Sequence, residues 1–292
     1  MTDATPAPRT RRPAEDPASP FHRAGGRHRF TARDAVVTAV TRPVDEFVRV
    51  TLTGPAFHDF TSTGPSDHVR VFFPDPVTGE LVAPAAAGPD EDGIVRPDRP
   101  MIFRDFTPLH AREDAAGARS VDIDLLLHPD PGPAAAWAQR AQVGDRLVVV
   151  GPRGSKAAPQ AAPRVLCIVD GTALPAAGRF LAEVPATTEV DVIADIPGDL
   201  EWVRTYLAQE GGRTASVTAA GDDLVTAVKS AGIDAGTYVF ATGEAGRLVA
   251  LRRYLRRELA LPSAQVALSG YWKAGLAGFD HHAPIDPDDP ED

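Results

Sequence analysis

The feature that most limits what this chain can fold into is a change of texture at Gly151-Pro152-Arg153-Gly154. Before it, short runs alternate apolar and polar positions. Residues 47–53 (Phe-Val-Arg-Val-Thr-Leu-Thr) put β-branched and apolar groups on every second position and stop at Gly54-Pro55. Similar runs at 31–40, 68–73, 101–106, 121–127 and 146–150 make six strand candidates, separated by Gly, Pro and Asp turns. Such spacing predicts a closed or sandwiched all-β domain, expected here as an antiparallel six-stranded barrel. Residues 75–99, punctuated by proline and glycine, read as a long surface excursion. Beyond residue 163 the pattern alternates instead. Strands at 165–169, 189–194, 214–218, 237–241 and 265–268 are separated by helical stretches at 173–184, 200–209, 224–231 and 245–259. The last of these sets Leu248, Leu251, Leu255 and Leu259 on one stripe. Alternation of this kind predicts a doubly wound parallel sheet with covering helices. The expected layout is a barrel over 28–155, an Ala/Pro linker and an α/β domain over 164–275. An arginine-rich tail (1–27) and an acidic tail (276–292) flank them, both expected to be mobile because they are charged and proline-rich.

At 292 residues, with 43% apolar and 24% charged side chains, the chain has enough material for two buried cores. Its apolar runs fall far short of the roughly 20 residues a spanning helix needs, and no apolar leader is readable in the first twenty residues. The single cysteine, Cys167, excludes an internal disulfide and lies in an apolar run, where it is expected in the core. A cytoplasmic location follows as an expectation. A net charge of −10 argues against nucleic acid as a general partner, and neither a metal site nor a catalytic acid–base pair is readable.

In Ile102-Phe103-Arg104-Asp105-Phe106-Thr107-Pro108 an apolar strand ends in a guanidinium, a ring and a hydroxyl. That set suits a flat, phosphate-bearing cofactor such as a flavin, with Arg104 for phosphate, Phe106 as a stacking face and Thr107 for the ring edge. Taken alone, the segment is equally an edge strand with an exposed arginine and a core phenylalanine. The strand at 121–127 closes on Leu127 and His128. Gly132-Pro133-Ala134-Ala135-Ala136-Trp137-Ala138 then starts a helix with Pro133 near its first position. Free amides and small side chains there admit a pyrophosphate, although a plain helix start looks the same. Asp170-Gly171-Thr172-Ala173 and Thr242-Gly243-Glu244 follow strands of the second region, beyond whose carboxyl ends ligands bind. Neither is a full Gly-x-Gly-x-x-Gly fingerprint, and Thr172 serves equally well as an N-cap. Ser269-Gly270-Tyr271-Trp272-Lys273 closes the region with two aromatics and a cation.

Taken in order, these segments resemble the siderophore-interacting protein family of FAD-dependent ferric-siderophore reductases, within the ferredoxin-reductase-like superfamily. The family's pattern of Arg-x-Tyr-Thr, a strand ending in His, Gly-Pro-Ala and Trp-Ala is met at Arg104, Thr107, His128, Gly132–Ala134, Trp137 and Ala138. Its Gly-Asp, Gly-Pro-x-Gly, Asp-Glu-Thr-Ala-Leu-Pro-Ala, Gly-Glu and Ser-Gly-Tyr-Trp-Arg elements are met at Gly144-Asp145, Gly151–Gly154, Asp170, Thr172–Pro175, Gly243-Glu244 and Gly270–Trp272. The resemblance implies FAD with its ring near Arg104, Phe106 and Thr107, bordered by Leu127, His128 and Trp272. Its pyrophosphate would lie at Gly132, Pro133, Ala134 and Ala135, beside Trp137. NADH or NADPH would dock against Asp170, Thr172, Ala173, Gly243 and Glu244, and Arg70 and Lys273 would hold an anionic ferric chelate as small-molecule substrate. Asp195-Ile196-Pro197-Gly198-Asp199 offers no arginine for a 2′-phosphate, which disfavours NADPH.

The chain departs from the pattern at Phe106 for tyrosine, Leu109 for a second arginine, Gly171 for glutamate and Pro129 for glycine. These changes keep two other readings open: a related flavoenzyme turned to another reaction, for example in secondary metabolism, and a flavin- or siderophore-binding protein without turnover.

Overall fold

The two textures build two sheets that meet along a wide seam. The computed structural model describes residues 16–280 and 282–289. The first region contains β1 (Gly25–Arg27), β2 (Ala32–Thr41), β3 (Phe47–Thr53), β4 (Val69–Phe73), β5 (Ala85–Ala86), β6 (Ile94–Val95), β7 (Ile102–Phe106), β8 (Pro108–Glu113) and β9 (Arg119–Leu126). After these come the short helix α1 (Pro133–Ala138), β10 (Arg146–Val150) and β11 (Gly154–Lys156). Seven strands form one curled antiparallel sheet in the order β7-β4-β10-β2-β3-β9-β8. Period-2 alternation fills its inner face with Val37, Val48, Val50, Leu52, Val69, Val71, Ile123 and Leu125.

The sheet has one strand more than the six expected. Pro108 reads as a stop but opens β8, an edge strand whose first residue can do without a ladder N–H. The expected surface excursion also has structure. Its β5–β6 hairpin accompanies Leu81, Ala83 and Ile94, which pack with Met101 on Phe72, Val148 and Val150 outside the barrel.

The second region runs β12 (Arg164–Val169), α2 (Leu174–Glu183), β13 (Glu189–Ala194), α3 (Glu201–Gly211), β14 (Ser216–Ala219), α4 (Leu224–Ala231), β15 (Thr237–Glu244), α5 (Ala245–Arg253) and β16 (Val266–Trp272). Its five strands are parallel, in the order β14-β13-β12-β15-β16. The chain reverses direction across the sheet between β12 and β15, the crevice where such folds take ligands. Cys167 is fully buried in β12, as expected. The expected helix over 245–259 passes into a π turn at Tyr254–Glu258, where Leu259 N–H reaches back to the Tyr254 carbonyl. That extra residue per turn rotates Leu259 off the stripe, so it is exposed while Leu248, Leu251 and Leu255 stay buried. No helix among the described residues is long and apolar enough to cross a membrane.

Both tails need correction where they are described. Within residues 16–27, most of which are exposed, Phe21 and Arg23 are buried against the rest of the protein. Arg23 donates to the Lys156 and Ala157 carbonyls, Ser66 Oγ and the Tyr238 hydroxyl. The expectation for residues 1–15 lies outside the described residues. At the other end Ile285 is buried against the α5 side of the sheet, Asp286 accepts from Arg253, and Asp289 accepts from Arg252 and Arg257. Opposite charge far away in the sequence holds what composition marks as loose.

The two regions are joined by packing and by ions. Phe47 of β3 stacks on Tyr206 of α3, ring centroids 4.7 Å apart. Beside it Arg49 grips the fully buried Asp124 carboxylate at 2.7 and 2.6 Å, and Tyr206 donates to the same carboxylate at 2.6 Å. Arg49 also reaches Glu210 of α3. His110 lies between Asp122 of the barrel and Glu210 of the other domain, at 3.0 and 3.1 Å. The hydrogen bonds to Asp122 and Glu210 push the imidazole up to about 9. Burial opposes ionisation of Asp122, yet His110, Arg112 and Thr51 bring it down to about 2.

With its folded value above the ordinary 6.5, His110 contributes fully below that pH and loses its contribution as pH rises through about 9. Urea unfolding should therefore show wild type losing stability across that window, relative to a flatter His110→Gln variant. Identical alkaline losses in the two proteins would contradict the bridge.

Candidate functional site

Strand β7 pairs antiparallel with β4 in a register that sets Arg70 opposite Asp105 and Val69 opposite Phe106. Alternation sends Arg104 and Phe106 to one face of β7 and Asp105 to the other. Phe106 is half-buried and meets Phe73 edge-on at 6.0 Å; Phe73 meets Trp137 edge-on at 5.3 Å. Trp137 is thus a buried core ring that fastens α1 to the barrel.

Gly132 precedes α1, and Pro133 occupies its first turn, so Ala134 and Ala135 carry the first main-chain N–H groups of the helix. A methyl group built on Gly132 would lie 3.9 Å from Arg104 Nη2. The guanidinium and the helix start therefore face a common space. Among the described residues Arg104 donates to the Phe103 carbonyl through Nη1, which leaves the rest of its fork for a ligand. Leu127 is half-buried, and His128 is exposed on the loop into α1.

In the α/β domain Asp170 follows β12 and is itself the cap, accepting from the Thr172 amide at 2.9 Å. Thr172 is not the cap; its hydroxyl donates to Asp170 at 2.6 Å. Trp272 Nε1 donates to the other Asp170 oxygen at 2.7 Å. Burial pushes the Asp170 carboxyl up, against the pull of these donors. Ala173 is fully buried under the turn. Across the crevice β15 runs further than expected, through a bulge at Gly243 and Glu244. Burial opposes the Glu244 charge, but N–H groups of Ala274, Arg247 and Gly246 hold the carboxyl below its usual range. Lys273 is exposed beside it.

Two contacts bring the sets together. Tyr271, pushed up to about 12 by burial, is packed against the α/β core, and the hydroxyls of Thr242 of its own sheet and Thr107 of the barrel act on it from the two sides. A methyl group built on Gly171 would meet Leu126 Cδ2 at 2.9 Å, so the β9 end lies directly against the β12 turn. Gly171 is thus a point of close approach between domains. Leu109 is fully buried and lines a cleft of about 230 Å³ with His110, Arg179, Glu183 and Glu210. There Arg179 donates to the Pro108 carbonyl, so a guanidinium already stands beside this segment from the other domain.

Arg70 is not an open cation. It makes a double hydrogen bond to Asp105, 2.8 Å at each oxygen, over the Phe103 ring. Sequence reasoning missed Asp105 because the register that pairs it with Arg70 is invisible in one strand. Tyr271 was noticed only as part of an aromatic pair; its role as the link between domains left no sequence signal.

Gly243 has φ +150, and a Cβ there would meet the Asp170 carboxylate at 2.7 Å. Three donors lock that carboxylate, so it cannot step aside cheaply. Gly243→Ala should cost about 2 kcal/mol or more, against about 1 kcal/mol for Gly275→Ala, where φ is also positive but nothing is near. Guanidinium unfolding measures both, and equal losses would show that Asp170 yields.

Comparison with known proteins finds matches to both regions of the chain. The family model described as the siderophore-interacting FAD-binding domain matches residues 36–156. That of the siderophore-interacting protein matches residues 162–275. The chain is 32% identical to an NADPH-dependent ferric-chelate reductase of Escherichia coli, over 83% of this chain and 93% of that one. It is 28% identical to a ferric vibriobactin reductase of Vibrio cholerae, over 78% and 84%. Among solved structures, a siderophore utilization protein from T. fusca superimposes with a TM-score of 0.73 at 31% identity, over 90% of this chain and all of that one.

Proposed function

The chain belongs to the siderophore-interacting protein family, and from that premise we propose that it is an FAD-dependent oxidoreductase carrying electrons from NADH or NADPH to the iron of a ferric chelate. The observation that carries the reading is the close approach of Leu126 of the barrel to Gly171 of the nucleotide-type crevice, with Thr107 acting on Tyr271 alongside. Flavin and nicotinamide must touch for hydride to pass, and these contacts lie next in sequence to Leu127, Asp170, Thr172 and Trp272, residues expected to hold the cofactors.

The residues present fit FAD. Arg104 has N–H groups beyond the one spent on the Phe103 carbonyl, Gly132 leaves room beside it, and the adjoining helix start carries the amides of Ala134 and Ala135. Phe106 offers a ring face, Thr107 a hydroxyl, and Leu127 with His128 the border. Trp137 supports α1 from within the core. On the nucleotide side Gly243 admits the close approach of Asp170. Asp170, Gly243 and Glu244 line the crevice, Thr172 and Ala173 form the turn beside it, and Trp272 is tied to Asp170. Bound FAD supplies the redox chemistry, taking hydride from the nicotinamide and passing electrons singly to Fe(III). The protein positions, excludes water and sets charge; no side chain has to act as acid or base. With Arg70 tied to Asp105, Lys273 is the principal cation for an anionic chelate. That pairing also supports one alternative, a related flavoenzyme acting on a less anionic substrate. A cytoplasmic setting, where nicotinamide nucleotides are abundant, suits this chemistry.

Anaerobic addition of NADH or NADPH to FAD-loaded protein should bleach the flavin band, and a ferric chelate should restore it faster than buffer alone. A yellow protein bleached by neither nucleotide would rule the reductase out. Arg104→Ala should weaken FAD tenfold to a hundredfold, from the roughly 1.5 to 3 kcal/mol of a charge-assisted bond. Flavin fluorescence titration measures this, and unchanged affinity would remove Arg104 from the site.

A further inference from the structure

Strands β13 and β14 lie side by side on one flank of the switch point, and both end in acid. Asp195 follows β13 directly, its amide bonded to the Val169 carbonyl at the end of β12. Asp222 and Asp223 follow β14, with Asp223 capping α4. Arg247 of α5 spans the two ends. Its Nε and Nη2 grip Asp195 at 3.0 and 2.7 Å, and Nη1 and Nη2 reach the Asp222 and Gly221 carbonyls at 2.8 and 3.1 Å. The crevice holding Asp170 and Gly243 continues without interruption to Asp195 and Arg247.

Resting on the reading of this crevice as the nicotinamide-nucleotide site, we infer that the Asp195–Arg247 pair is the adenosine-ribose selector, and that it makes this chain prefer NADH to NADPH. An acid at the end of the second strand of such a sheet is placed to accept from a ribose 2′-hydroxyl. Arg247 keeps that carboxylate aimed. A 2′-phosphate would bring about two negative charges at neutral pH to a rim that already carries Asp195, Asp222 and Asp223. The one guanidinium there has four of its five N–H groups engaged, two of them on Asp195. To serve a phosphate it would have to give up that carboxylate. The expected preference is opposite to the one named for the Escherichia coli relative.

Calorimetry on the FAD-loaded protein with ADP-ribose and its 2′-phosphate derivative tests this without turnover. ADP-ribose should bind at least tenfold more tightly. Asp195→Ser, which frees Arg247, should narrow that ratio by about tenfold or invert it. Arg247→Met, which leaves the carboxylate unaimed, should weaken ADP-ribose several-fold without improving the phosphate form. Equal or tighter binding of the phosphate form by wild type would overturn the inference alone. So would an unchanged ratio in Asp195→Ser, or a selective loss of the phosphate form in Arg247→Met. Failure of both ligands to bind a protein that retains FAD would overturn the nucleotide site itself, and the inference with it.

Discussion

The buried carboxylate of Asp124 is the point on which the arrangement of the two domains turns. It lies in a barrel strand, yet its partners come from both sides: Arg49 from the barrel and Tyr206 from helix α3. A carboxylate without solvent is tolerable only when its oxygens are fully served, so the pair of domains and the ionised state of Asp124 require each other. Burial disfavours the charge on Arg49, but Asp124 and Glu210 outweigh it and raise its titration above the usual value. Phe47 stacked on Tyr206 closes this network against water. The proposed cofactor residues lie close to this network, since Leu126 follows Asp124 by two residues in β9 and Thr107 comes just before β8, the strand that pairs with β9. A seam fixed at Asp124 therefore fixes how those residues meet Gly171 and Tyr271.

Much of this was legible in the order of residues. Period-2 runs located the barrel strands, and the unbroken apolar run at Val165–Val169 located the central parallel strand, because each pattern is dictated by which faces are buried. The Arg104–Thr107 and Gly132–Ala135 segments stand out as the proposed flavin residues because phosphate and flat rings demand particular donors and shapes. Pairings across space were not legible. Arg70 looked like an open cation until register set it against Asp105. The stretch after β13 looked devoid of arginine until Arg247 arrived from 52 residues away. Pro108 misled in the other direction, since the rule that proline ends a strand relaxes at an edge.

The departures from the family pattern look different once placed. Gly171 stands where the barrel presses on the crevice, and the side chain missing there would run into Leu126. Leu109 is packed in the seam beside Arg179. Both are matters of how closely two domains approach as well as of ligand contact. Phe106 remains the one change that simply trades a hydroxyl for a bare ring.

The ends of the family match and the ends of the folded unit do not coincide. The match runs from 36 to 275, but Phe21 and Arg23 lie before it and Ile285, Asp286 and Asp289 after it, all holding parts of the α/β domain. A fragment trimmed to the matched span would keep every residue assigned to flavin and nucleotide. It would lose the cation that binds Tyr238 to the linker, open an apolar hollow beneath α5, and leave that helix end with a run of arginines repelling one another. Evolutionary recognisability and mechanical integrity have separate borders here, and the outer segments belong to the second.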